Sequence, residues 1–132
     1  MKDFSDDMFL DIFNMNRDMW TPKADIYETE NFLVIRVAVS GLDPENLELT
    51  LSNDNSVLNV KGFRNEIEDS DGEKIKYHRL EIFYGMFERD IELPDNVYID
   101  RNKINAKYND GMLTVKFAKS RKKRPISIEI ED

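Results

Sequence analysis

The chain contains no cysteine. A disulfide framework, a thiolate nucleophile and a cysteine-based metal site are therefore excluded. Histidine occurs once, at His78, so a Cys–His pair cannot exist and a Ser–His pair has little to build on. Phosphate loops of the GxGxxG or GxxxxGKS type are missing, which argues against ATP-driven work. Asp69-Ser70-Asp71-Gly72-Glu73 resembles a calcium loop only faintly, since it lacks the ligand spacing and the flanking helices. No apolar run approaches the length needed to span a bilayer. The opening Met1-Lys2-Asp3-Phe4-Ser5-Asp6-Asp7 is acidic and is not followed by the apolar core of a secretory signal. Positive charge is also in deficit, with 19 Lys and Arg against 27 Asp and Glu and a formal net charge of −8. Nucleic acid and anionic membranes both require a positive surface, so neither is an expected partner. The expectation is a cytoplasmic protein that is not an enzyme, with no catalytic residues, no metal and no cofactor.

What is present is enough for one domain. The 132 residues are 40% apolar and 35% charged, a composition that can bury a core and stay well solvated. Three zones follow one another: residues 1–19, 20–119 and 120–132. In the first, Ser5 can cap a helix, with Asp6 and Asp7 in its favoured first turn. Met8, Ile12, Met15 and Met19 then fall on one helical stripe, widened by Phe9 and Phe13. Two readings stand side by side: an ordinary helix packed on its own domain, or an adaptable adhesive surface of Met and Phe side chains. The segment is short and polar between its anchors, so it is marginal as an isolated helix and is expected to be helical or disordered.

The second zone reads as β throughout. Residues 25–28 and 32–39 are strand candidates. Leu47, Leu49 and Leu51 alternate with Glu48 and Thr50, and Leu58 and Val60 follow the turn Asn53-Asp54-Asn55-Ser56. Ile104, Ala106 and Tyr108 alternate with polar residues, as do Leu113, Val115 and Phe117. Between those two strands Asn109-Asp110-Gly111 is a hairpin signal, because both Asp and Gly tolerate positive φ. Gly41-Leu42-Asp43-Pro44 and Leu93-Pro94-Asp95-Asn96 supply further turns. Short strands with a turn every ten or so residues predict an all-β antiparallel sandwich or barrel. The charged stretch 64–85 breaks that rhythm. It holds a strand-like piece at 76–83 and is either a solvated loop or an arm that adds a strand to a second copy.

In the third zone, Pro125 follows the basic run Arg121-Lys122-Lys123-Arg124 and enforces an extended entry. That run is too short to bind nucleic acid convincingly and reads as a hydrated hinge. Ile126, Ile128 and Ile130 recur at period two, so in an extended chain they project from one face, roughly 7 Å apart. Ser127, Glu129 and Glu131 face the other way. Either this is a last edge strand of the same sandwich or it docks onto another copy. The charged hinge and the already complete set of strands favour docking.

Several of these strings also match a known pattern. Trp20-Thr21-Pro22-Lys23-Ala24-Asp25, Val39-Ser40-Gly41-Leu42 with Glu45, and Leu58-Asn59-Val60-Lys61-Gly62 with Arg64 come in order. Tyr77-His78-Arg79 with Glu81, Gly85-Met86-Phe87-Glu88-Arg89 with Leu93-Pro94, and Asp110-Gly111-Met112-Leu113 follow. Ile126/Ile128 and Ile128/Ile130 then give two overlapping Ile-x-Ile pairs. Together, over about residues 20–130, the chain resembles the small heat-shock protein family, whose core is the alpha-crystallin domain of Hsp20 type. It departs from the family at Ala118-Lys119, where Pro-Lys is usual, and in its short N-terminal arm.

The resemblance implies an immunoglobulin-like antiparallel sandwich of seven or eight strands, with an N-terminal arm at 1–19, the domain at 20–119 and an extended tail at 120–132. It implies a chaperone that holds unfolding clients without ATP, assembled from strand-swapped homodimers into higher homo-oligomers. The swapped segment would bring Tyr77, His78, Arg79, Glu81 and Phe83 to the dimer interface, with Arg89 nearby. A groove between residues 47–51 and 104–108, with Leu47, Leu49, Leu51, Ile104 and Ala106, would accept the tail of a neighbour. Met8, Phe9, Ile12, Phe13, Met15 and Met19 would contact clients. A monomeric adaptor of the co-chaperone type, docking on a larger chaperone machine, is the rival expectation, and it would need neither the isoleucine tail nor the charged arm.

Overall fold

The structure, a computed structural model, describes residues 20–66, 70–120 and 128–131. Seven strands form in these residues: β1 (Ala24–Glu28), β2 (Phe32–Ala38), β3 (Leu47–Leu51), β4 (Val57–Arg64), β5 (Gly85–Glu92), β6 (Ile99–Asn109) and β7 (Met112–Lys119). They make a four-stranded sheet in the order β1-β2-β7-β6 and a three-stranded sheet in the order β3-β4-β5. All pairings are antiparallel. The expected all-β sandwich is what the chain forms.

Period-two alternation decides which face each strand buries. Leu33, Ile35 and Val37 of β2 and Leu113, Val115 and Phe117 of β7 are almost fully buried on the inner face of one sheet. Leu58 and Val60 of β4 and Phe87 and Ile91 of β5 meet them from the other sheet. Each such side chain contributes roughly 1.5–3 kcal/mol through burial.

The turns are local chemistry. Between β6 and β7, Asp110 and Gly111 sit at φ 52° and 77°, the left-handed region that a tight hairpin requires. Between β3 and β4, Asp54 accepts from the Ser52 and Ser56 hydroxyls at 2.7 and 2.6 Å and from the Ser56 N–H at 3.1 Å. Asp43 caps the short 3₁₀ turn Pro44–Asn46 that leads into β3 by accepting from the Glu45 N–H at 3.0 Å.

The stretch between β4 and β5 holds no strand among its described residues. The piece expected to be strand-like at 76–83 is therefore irregular in the single chain. A strand needs a partner for its backbone N–H and C=O groups, and within one copy this piece pairs with none of the seven strands.

Candidate functional site

Among the described residues, each sheet ends in strands with a single neighbour. β6 closes one end of the four-stranded sheet, and β3 closes one end of the other. Register assigns their side chains. Leu47, Leu49 and Leu51 stand opposite Gly62, Val60 and Leu58 of β4. Val60 and Leu58 are core residues, and directly paired residues share a face, so the three leucines point inward. Ile104, Ala106 and Tyr108 stand opposite Phe117, Val115 and Leu113, all in the core, so they too face inward.

Two side chains hold the edges beside each other. Arg101, early in β6, donates from Nη1 to the Ser52 carbonyl at 2.6 Å and to Asn55 Oδ1 at 2.7 Å, just past the end of β3. Tyr108, late in β6, donates to the Val39 carbonyl at 2.6 Å and accepts from the Leu42 N–H at 3.2 Å, ahead of β3. β3 and β6 therefore run in opposite directions along one side of the sandwich. The inward-facing residues between them are incompletely covered. The leucines are half-buried, Ala106 is exposed, and Ile104 keeps 41% of its surface. Apolar side chains aimed at the core are thus left partly open along these two edges. Leu47, Leu49, Leu51, Ile104 and Ala106, the residues expected to accept a tail, lie on these two edge strands.

The described part of the tail does not pack against these edges. Ile128 and Ile130 are 80% and 91% exposed. Ile126, the preceding hinge, and the arm residues Met8, Phe9, Ile12, Phe13, Met15 and Met19 lie outside the described residues.

The candidate dimer residues fall in two places. Tyr77, His78, Arg79, Glu81 and Phe83 lie on the irregular stretch, with Tyr77 and Phe83 half-buried, the others exposed, and Arg79 paired with Glu81 at 3.4 Å. Arg89 lies apart from them on β5 and donates to the Pro22 carbonyl at 2.7 Å, tying β5 to the lead-in of β1.

One residue whose role the sequence gave no sign of holds the base of that stretch. Arg64, at the end of β4, donates from Nε to the Phe83 carbonyl at 2.8 Å, makes a second contact to it from Nη2, and reaches the Ser40 carbonyl at 3.3 Å. Its guanidinium lies 4.4 Å from the Trp20 ring centroid and 5.8 Å from that of Tyr84. Burial lowers its pKa, yet an arginine stays charged. Trp20 in turn meets Phe87 edge-on at 4.9 Å. Arg64 and Trp20 stand 44 residues apart by position, and no local spacing in the sequence joins them. Among the described residues, no cluster of three His, Asp or Glu side chains could hold a metal ion.

With this geometry in view, similarity to known proteins is informative. The description "Hsp20/alpha crystallin family" matches residues 25–131. Small heat shock protein C4 of Rickettsia felis is 28% identical over 96% of this chain and 80% of its own length. A 17.7 kDa class II heat shock protein of Arabidopsis thaliana is 33% identical over 82% of this chain and 69% of its own. The crystal structure of a small heat-shock protein from Xylella fastidiosa superposes with a TM-score of 0.63 at 30% identity, covering 86% of this chain and 98% of that one.

Proposed function

Since the chain belongs to the Hsp20/alpha crystallin family of small heat-shock chaperones, we propose that it is an ATP-independent holdase that assembles through its tail and covers the apolar surface of unfolding proteins. The observation that carries this reading is the partly open apolar edge shared by β3 and β6 together with Ile128 and Ile130 left exposed. Burying two isoleucines contributes roughly 3–6 kcal/mol before ordering costs. One such contact is weak, but many copies acting together hold firmly. The Xylella fastidiosa relative has a distinct high order structure, which supports assembly here too.

The dimer would form at the other side of the four-stranded sheet. Among the described residues β1 pairs only with β2, and its other edge can take residues 76–83 of a second copy as an added strand. The division into an arm (1–19), a domain (20–119) and a tail (120–132) follows from this scheme. A holdase binds the unfolded form of its client and needs no nucleotide to do so. The Met and Phe side chains of the arm and the groove, when the tail leaves it, supply the apolar contact.

The test removes residues 125–132. Light scattering should report a smaller assembly for the truncated chain, and the full chain should suppress aggregation of a heat-denatured client without ATP. An unchanged mass refutes tail docking. A full chain that is monomeric and does not suppress aggregation supports the co-chaperone adaptor instead.

A further inference from the structure

We propose that the outer face of the four-stranded sheet is a docking surface for the chain's own acidic segment, residues 1–19. Register defines this face as it assigned the inward-facing side chains. Tyr27, Val34, Lys116 and Asn105 form one row across β1, β2, β7 and β6, and Asp25, Arg36, Thr114 and Lys107 form the next. A trough of about 380 Å³ runs between them, lined by Tyr27, Arg36, Lys107, Met112, Thr114 and Lys116 among others. Its chemistry is twofold. Arg36, Lys107 and Lys116 bring positive charge, and among the described residues none of them forms an ion pair. Tyr27, 42% exposed, and Met112 supply apolar surface to the same lining.

A cationic, partly apolar trough on a chain of net charge −8 calls for an occupant that is both acidic and apolar. Free polyanions are repelled by the chain as a whole. Residues 1–19 fit both demands: Lys2 and Arg17 stand against Asp3, Asp6, Asp7, Asp11 and Asp18, a net −3, interleaved with Met and Phe. The segment also starts in the right place. The Lys23 carbonyl accepts from the Ala38 N–H, and the Gly111 carbonyl accepts from the Val39 N–H, both at 2.9 Å. The chain therefore enters β1 at the end of the sheet that carries the β6–β7 hairpin, and Asn109, Asp110 and Met112 line the trough at that end. Nineteen residues reach about 28 Å as a helix and about 60 Å extended, against a width of about 15 Å for four strands. Tethering raises the local concentration of the segment to the millimolar range.

The test uses the full chain and a carbodiimide, which joins a carboxylate to an amine only when the two are in contact. Isotopically heavy and light chains are refolded together, treated, and mapped by mass spectrometry. The expected products join the aspartates of residues 3–18 to Lys103, Lys107 or Lys116 within one isotopic label, with yields falling on the order of threefold at about 0.5 M salt as screening shortens. Coupling mainly to lysines elsewhere, such as Lys61, no coupling at all, or heavy–light products in statistical proportion would each overturn the proposal. A second arm measures chymotryptic cleavage at Phe9 and Phe13 in a Lys107→Gln/Lys116→Gln variant, both substitutions being on the exposed face. Cleavage should accelerate several-fold with unchanged circular dichroism, and an unchanged rate would count against docking. Neither readout depends on chaperone activity, so failure here leaves the proposed function untouched.

Discussion

Replacing Gly62 with alanine should destabilise the domain from inside the sandwich. Gly62 lies in β4 between Leu47 of β3 and Phe87 of β5. A Cβ at this position would stand 2.4 Å from Cζ and 2.6 Å from Cε1 of Phe87, and 3.2 Å from the Asn46 carbonyl oxygen. Ordinary contact begins at 3.4 Å, so the ring would have to retreat by about 1 Å. It has nowhere to go, being 2% exposed and set edge-on against Trp20. Overpacking of this kind costs about 1–3 kcal/mol, and displacing the aromatic pair adds about 0.5–1.5 kcal/mol. Alanine returns about 0.4–1 kcal/mol by narrowing the unfolded ensemble. The net expectation is a loss of about 1–3 kcal/mol. Urea unfolding followed by Trp20 fluorescence, at one fixed protein concentration so that any self-association is held constant, should show a lower midpoint with an unchanged slope. In the double variant with Phe87→Leu, the cost of the added methyl should shrink. A Gly62→Ala protein as stable as the parent would refute the packing argument.

Other outcomes follow from single contacts. Arg64→Lys keeps the charge but loses the two-pronged hold on the Phe83 carbonyl and the stacking on Trp20, so it should cost roughly 1–3 kcal/mol. The single tryptophan should shift its emission to the red, and amide exchange should quicken around Phe83. Ile104→Glu places a charge on the partly open apolar edge of β6, so light scattering should show a smaller assembly while circular dichroism stays the same. Hydrogen bonds from Ser56 and then Ser52 lower the Asp54 pKa from 3.8 to about 2. Because the folded value is depressed, its contribution to the β3–β4 hairpin is present above pH 3.8 and is lost as the pH falls through about 2. An NMR titration should place the Asp54 carboxyl well below the usual carboxylate midpoint, and Ser56→Ala should raise it.

Alternation made most of the fold legible. Leu47, Leu49 and Leu51, or Leu113, Val115 and Phe117, announce both strand and inner face, and Asp110-Gly111 announces its hairpin. β6 was legible only in its second half. Asp100, Arg101, Asn102 and Lys103 carry no apolar alternation, yet they join the strand from Ile99, because Arg101 is bound to the β3–β4 turn. β5 (Gly85–Glu92) is absent from the strand candidates of the sequence, since Glu88, Asp90 and Glu92 alternate with Phe87, Arg89 and Ile91 and only part of that face is apolar. The groove residues could be named only because the family resemblance points to these two strands; alternation then says which of their side chains share a face. The Arg64–Trp20–Phe87 contact could not, because it joins three distant positions through packing that no local spacing encodes. The 76–83 piece was read as strand-like from its composition, but in one copy it has no ladder to join.

The irregularity in β6 bears on how the protein protects itself. Its pairing with β7 shifts register between Ile99 and Ile104, and Arg101, Lys103 and Lys107 stud the same strand. An edge of 11 residues, left straight and apolar, would template uncontrolled addition of any passing β-strand. The bulge and the lysines shorten the usable edge to the stretch around Ile104 and Ala106. On β6 the edge open to a further strand is thereby cut to about half the strand's length.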